Sequence, residues 1–230
     1  MNKNDYFEFE EEGTDFPFYR DHKLFSKREG VGLLISIILF AFLIFGPVKF
    51  YDRQEEIILF LAITIPLSIC LKGNFNIFFK KPKKDDVLLV ILCCIGCMFL
   101  QVIFAWLIFA FGFKSGANTV NSLDWLLLIT QFIQIIAEEL FKAIVFLLVL
   151  YLVYKYTHNR KTSIIISTIV SLFMFGLFHA NSYSLAYAIF AIGFGGFFEL
   201  YPYLKTKNLL LSIIVHLLLN LFIMSAKVLV

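Results

Sequence analysis

The chain has 230 residues, 60% of them hydrophobic and 18% aromatic, with 20 Lys and Arg against 17 Asp and Glu for a formal charge of +3. A mean hydropathy of +0.84 is more apolar side chain than a domain of this length can bury, which excludes an ordinary water-soluble enzyme. It predicts an all-α, polytopic integral membrane helical bundle. The small net charge is explained by basic residues beside apolar runs and carries no nucleic-acid footprint.

In chain order, residues 1–30 are polar and acidic-aromatic, with Glu8, Glu10, Glu11 and Glu12 interleaved with Tyr6, Phe7 and Phe9. They lack a signal-peptide pattern and read as a cytoplasmic segment, partly disordered or lying at the membrane surface. Apolar runs follow at about 31–47, 56–71, 86–113, 124–154, 162–181, 184–203 and 207–226, predicting about seven transmembrane helices. A bilayer needs roughly 20 residues, so the third and fourth runs must tilt, kink or protrude, and the second is near the lower limit. The first three spans, 31–113, form an accessory unit. Residues 114–230 carry the chemistry.

Orientation follows from alternate loops. Fifteen of the 20 Lys and Arg, among them Lys80, Lys81, Lys83 and Lys84, fall on the amino-terminal side of the spans, and four (Lys49, Arg53, Lys114, Lys227) on the other. The positive-inside rule then puts the amino terminus in the cytoplasm and the carboxyl terminus outside. Cys70, Cys93, Cys94 and Cys97 all lie in spans. Cys94 and Cys97 have C-x-x-C spacing, but without a second ligand pair they read as packing sulfur.

The fourth run contains Glu138, Glu139 and Lys142, and ionisable groups at membrane depth are functional candidates. Neighbours on a helix point about 100° apart, so the two glutamates cannot face the same way. Lys142 is spaced to neutralise either one. One carboxylate is expected to face a polar intramembrane cleft as a base while the other is held by Lys142 or a neighbouring helix; the alternative is a pair that only fixes helix packing. The fifth run adds Phe175 and His179, the seventh His216 and Asn220 one turn apart. Two donors on one face can stabilise an oxyanion or serve packing.

Together, E-E, then F-x-x-x-H, then H-x-x-x-N, each on its own span, resembles the CPBP superfamily of intramembrane proteases, which includes CAAX prenyl endopeptidases and bacteriocin-processing or immunity (Abi) proteins. Gly193, Gly195 and Gly196 resemble the small-residue helix before the family's last histidine. The resemblance covers about 124–226. The family's first motif is E-E-x-x-x-R, whereas here Ala143 holds the arginine position and Lys142 precedes it, a variant similar to the PrsW-type branch.

The resemblance implies that Glu138 activates a water, His179 binds or orients it, His216 and Asn220 stabilise the oxyanion, and Glu139 supports. It implies an intramembrane endopeptidase acting on a hydrophobic, lipidated or membrane-associated peptide in a bacterial plasma membrane, in peptide processing or bacteriocin self-immunity. No cofactor is favoured. Zinc held by Glu138, His179 and His216 is the alternative, although H-E-x-x-H is absent. Two other classes remain open: a non-catalytic immunity or scaffold protein, and an ion-coupled transporter in which the same residues form a relay.

Overall fold

The computed structural model describes residues 16, 27–46, 54–72, 75–114 and 125–229. The acidic cluster at Glu8–Glu12 and residues Lys49, Arg53 and Asp124 lie outside them. Among the described residues there are seven α-helices and no strand: α1 (Lys27–Phe45), α2 (Gln54–Cys70), α3 (Asp86–Ala110), α4 (Trp125–Thr157), α5 (Arg160–Phe178), α6 (Phe197–Thr206) and α7 (Leu209–Leu229). The all-helical expectation therefore holds, with one difference. The run read as a continuous sixth span is composite: a π-helical stretch, Tyr187–Gly193, a 3₁₀ turn, Phe194–Gly196, and then the short α6.

The α4–α5 hairpin is the centre of the fold. Asn159 caps α5 by accepting from the Thr162 amide at 3.0 Å, and such a cap is worth about 1 kcal/mol. Ser163, Ser167 and Ser171 are buried at four-residue spacing, so small side chains line one face and let α5 approach α4 closely. The Ser171 hydroxyl closes that contact by donating to the Lys142 carbonyl at 2.8 Å.

The break in the sixth run has a steric cause. A Cβ on Gly176 would lie 2.6 Å from the Ala188 carbonyl oxygen, and one on Gly193 2.6 Å from the Leu172 carbonyl oxygen. Here α5 and the π-helical stretch meet backbone to backbone. A π turn widens the helix by one residue, and such turns recur beside functional sites.

At the end of the bundle where α6 turns into α7, Asn208 clamps the segment before α3. It accepts from the Lys80 amide at 3.0 Å and donates to the Lys80 carbonyl at 2.9 Å. Phe16 is fully buried beside Phe146 and Tyr203. At the other end, the Asn181 amide group donates to the Ile44 carbonyl at 2.9 Å, tying the turn after α5 to α1. The outer faces of α1 and α3 are apolar and exposed, including Ile35, Phe42, Leu92, Phe99 and Trp106. Among the described residues, two of the seven helices, Asp86–Ala110 and Arg160–Phe178, are long and apolar enough to cross a membrane by length and composition, fewer than the seven spans expected from the sequence.

Placing a branched side chain at the α5 crossing must push the two backbones apart. Gly176→Val is expected to lower stability by about 1–3 kcal/mol, read as thermal unfolding in detergent. Gly30→Ala, where a Cβ meets nothing within 4 Å, should not lower the unfolding temperature, since alanine is the better helix former.

Candidate active site

The neighbouring carboxylates of α4 diverge as helical geometry requires. The Glu138 side chain is 12% exposed and Glu139 is fully buried. Glu138 lines a cavity of about 130 Å³ between α4, α5 and the first two helices. Its walls mix polar side chains, Glu55, Gln134, His179 and Ser182, with an aromatic cluster in which Phe40, Phe141 and Phe178 are in mutual ring contact. Gln134, one turn earlier in α4, donates to Glu138 Oε1 at 2.6 Å and fixes the carboxylate from below.

Glu139 turns into the bundle, where Lys142 meets it. The ammonium lies 2.5 Å from Glu139 Oε1 and 2.7 Å from Glu199 Oε2, and none of the three side chains is more than 4% exposed. The Phe175 ring covers the remaining face of the ammonium, 4.2 Å from its centroid. An ammonium has three donors and no acceptor. Two carboxylates and one π face satisfy all three, which is what allows a lysine to be buried here.

The imidazoles arrive from α5 and α7. His216 Nδ1 is 2.7 Å from Glu139 Oε1, and a carboxylate oxygen only accepts, so Nδ1 carries the proton. His179, at the end of α5, has Nδ1 3.0 Å from the Phe175 carbonyl, and the same logic protonates that nitrogen. Both rings therefore turn Nε2 toward Glu138. His179 Nε2 is 3.9 Å from Oε1 and His216 Nε2 is 3.7 Å from Oε2. These separations exceed a direct hydrogen bond and match the reach of a bridging water. Phe175 packs edge-on to both rings and holds their planes, with centroids at 4.8 Å and 6.1 Å. In the turn after α5, burial and the Glu138 charge push the Tyr183 hydroxyl above its ordinary pKa.

The structure thus brings Glu138, Glu139, Lys142, Phe175, His179 and His216 together. Asn220 is not among them. It lies one turn beyond His216 and lines a separate cavity of about 230 Å³ with Gln131, Ile135 and Leu217. Lys142 binds Glu139 and not Glu138. Two members of the site come from no motif, Gln134 and Glu199. Glu199 could have been found in the sequence as the one acidic residue inside the sixth apolar run, since any carboxylate at that depth needs a partner.

The zinc alternative named Glu138, His179 and His216. Among the described residues, the cluster with ligand atoms all within 4.8 Å of one another is instead Glu139, Glu199 and His216. The Lys142 ammonium sits within 2.7 Å of both of its carboxylates, so that position already has its cation and does not fit a second.

Residues 120–222 match the family described as Rce1-like, type II CAAX prenyl endopeptidase. This segment holds Glu138, Glu139, Lys142, Phe175, His179, Glu199 and His216. No curated protein and no solved structure matches the chain.

Removing the ammonium while leaving its partners buried strands two carboxylates. Lys142→Met is expected to cost about 3–5 kcal/mol, measured as a fall in unfolding temperature in detergent. A retained unfolding temperature would show that Glu139 and Glu199 do not depend on Lys142.

Proposed function

We propose that the chain, whose residues 120–222 match the Rce1-like family, is an intramembrane endopeptidase of the CPBP superfamily that hydrolyses a hydrophobic, lipidated or membrane-associated peptide. The observation that carries this reading is the pair of Nε2 atoms near the two oxygens of Glu138, with Glu138 and His179 lining one cavity. A base, a water-orienting ring and an electrophile then converge on one space.

In the mechanism, His179 Nε2 and Glu138 hold a water. Glu138 takes its proton as the water oxygen bonds to the peptide carbonyl carbon. Charge develops on the carbonyl oxygen, where His216 presents Nε2–H as the imidazolium, the form that the Glu139 carboxylate at Nδ1 stabilises. When the C–N bond breaks, Glu138 returns the proton to the leaving amine. A peptide extended from the Glu138 cavity toward the Asn220 cavity would meet His216 first, and Asn220 would serve the neighbouring residue of the substrate. The ammonium of Lys142 supplies the fixed positive charge, and we favour a metal-free mechanism.

The bilayer supplies the surroundings. Apolar outer faces on α1 and α3 support a multi-pass placement in a bacterial plasma membrane, with the amino terminus in the cytoplasm by the distribution of Lys and Arg. The aromatic cavity wall and the CAAX endopeptidase description of the family support a substrate with an apolar or lipidated segment. Processing of a peptide, or of a bacteriocin in self-immunity, is the role we assign by analogy.

Terminal-labelling mass spectrometry of host membranes carrying the intact protein or Glu138→Ala at matched levels tests the reading. Cleavages should disappear in the variant, and Glu138→Gln should slow hydrolysis by roughly 10²–10⁴-fold. An identical set of termini, with the host phenotype intact, would favour a non-catalytic scaffold; ion flux without cleavage would favour a transporter. Chelation with phenanthroline should leave the rate unchanged, whereas stoichiometric zinc in active protein would contradict the metal-free mechanism.

A further inference from the structure

Glu199 belongs to no motif yet is nearly fully buried in the first turn of α6. Its partners show what it does. Oε2 accepts from the Lys142 ammonium at 2.7 Å, and Oε1 lies 3.7 Å from the Cys97 sulfur of α3, whose single proton is also within reach of the Gly195 carbonyl at 3.3 Å. A Cβ on Gly196 would press to 3.1 Å from Oε2, so the absence of a side chain there makes room for the carboxylate. The residue is therefore held from two helices, one of them outside the matched segment.

On the other side of Lys142 one oxygen is a shared acceptor. A single oxygen of Glu139, Oε1, takes both the ammonium at 2.5 Å and His216 Nδ1 at 2.7 Å. The second oxygen, Oε2, has no hydrogen-bond partner among the described residues. If Lys142 had Glu139 alone, one ammonium and one carboxylate would form a closed pair, and the carboxylate would have little charge left for an imidazolium. With Glu199 present, two carboxylates share one ammonium, and a net negative charge stays on the face toward His216, whose Nδ1 is 3.8 Å from Glu199 Oε2.

We infer that Glu199 is a positioning residue for the hydrolysis: by sharing the Lys142 ammonium with Glu139 it leaves net negative charge on the carboxylate pair, and Glu139 Oε1 orients His216 with Nε2 toward the reacting carbonyl. The assignment rests on the protease reading. It also explains how a lysine one position before the family's arginine can serve this chain. An arginine grips a carboxylate with two donors in a plane, whereas a lysine is a point charge that must be centred by a second anion.

The test uses the purified full chain in detergent and a quenched fluorescent peptide copied from the strongest cleavage that Glu138→Ala abolishes. Glu199→Gln should lower kcat by about 100-fold, the scale of losing one oxyanion donor, with KM changed by less than about twofold. The paired variant Lys142→Met with Glu199→Leu removes the ammonium together with the carboxylate that shares it, leaving the Glu139 charge to His216, and should regain at least about tenfold in kcat over Glu199→Gln. Unchanged kcat in Glu199→Gln, or a paired variant no faster than Glu199→Gln, overturns the assignment. Should Glu199→Gln not fold, a paired variant faster than Glu139→Gln supports the assignment and one no faster overturns it. The two readings fail differently. If Glu138→Ala cleaves as the intact protein does, the protease reading falls and this one with it; if Glu138→Ala is inactive and Glu199→Gln fully active, only the role of Glu199 falls.

Discussion

One ammonium group organises this site. Lys142 is fully buried between Glu139 and Glu199 and beneath the Phe175 ring, and no member of that set could remain charged there alone. Desolvating a single ion costs several kcal/mol, and only mutual compensation makes the arrangement tolerable. The consequences spread outward. Glu139 is committed to the interior, so helical geometry turns Glu138 to the cavity; Glu139 also fixes the His216 tautomer, and His216 then faces Glu138 from the opposite side.

The scaffold around this cluster serves to bring three helices within side-chain reach. Serines on α5 and the glycine contact at Gly176 and Gly193 let backbones approach without intervening side chains. That closeness puts His179 at the end of α5 beside Glu138, and lets the composite sixth segment start α6 with Glu199 pointing at Lys142. The first three helices contribute as well. Phe40 of α1 stacks on Phe141 at 5.1 Å, and Cys97 of α3 contacts Glu199, so the accessory half of the chain touches both the cavity and the buried ion pairs.

Much of this was legible in the sequence, for reasons that can be named. Periodicity and charge marked the long helices, because an apolar run bounded by lysines has few other solutions. The divergence of Glu138 and Glu139 follows from the angle between neighbours on a helix, whereas three- and four-residue spacings left Lys142 able to meet either one, and packing pairs it with Glu139. Glu199 was missed because its partner is 57 positions away, a distance that local spacing cannot encode. The break in the sixth run was missed because Tyr187–Gly196 is as apolar as a regular helix; the cause is a backbone contact with α5, visible only once the two are packed. Asn220 was grouped with His216 by four-residue spacing, but one further turn carries it past the end of the Glu138 cavity.

The division of labour between adjacent glutamates is the central claim, and thermal unfolding of Glu138→Gln beside Glu139→Gln in detergent tests it without a substrate. The buried ion pairs require Glu139→Gln to unfold at a clearly lower temperature than the intact protein, because Lys142 and His216 both lose their shared anion. Glu138→Gln, whose carboxylate faces the cavity, should unfold at the intact protein's temperature. Equal losses in the two variants, or a loss confined to Glu138→Gln, would contradict the account.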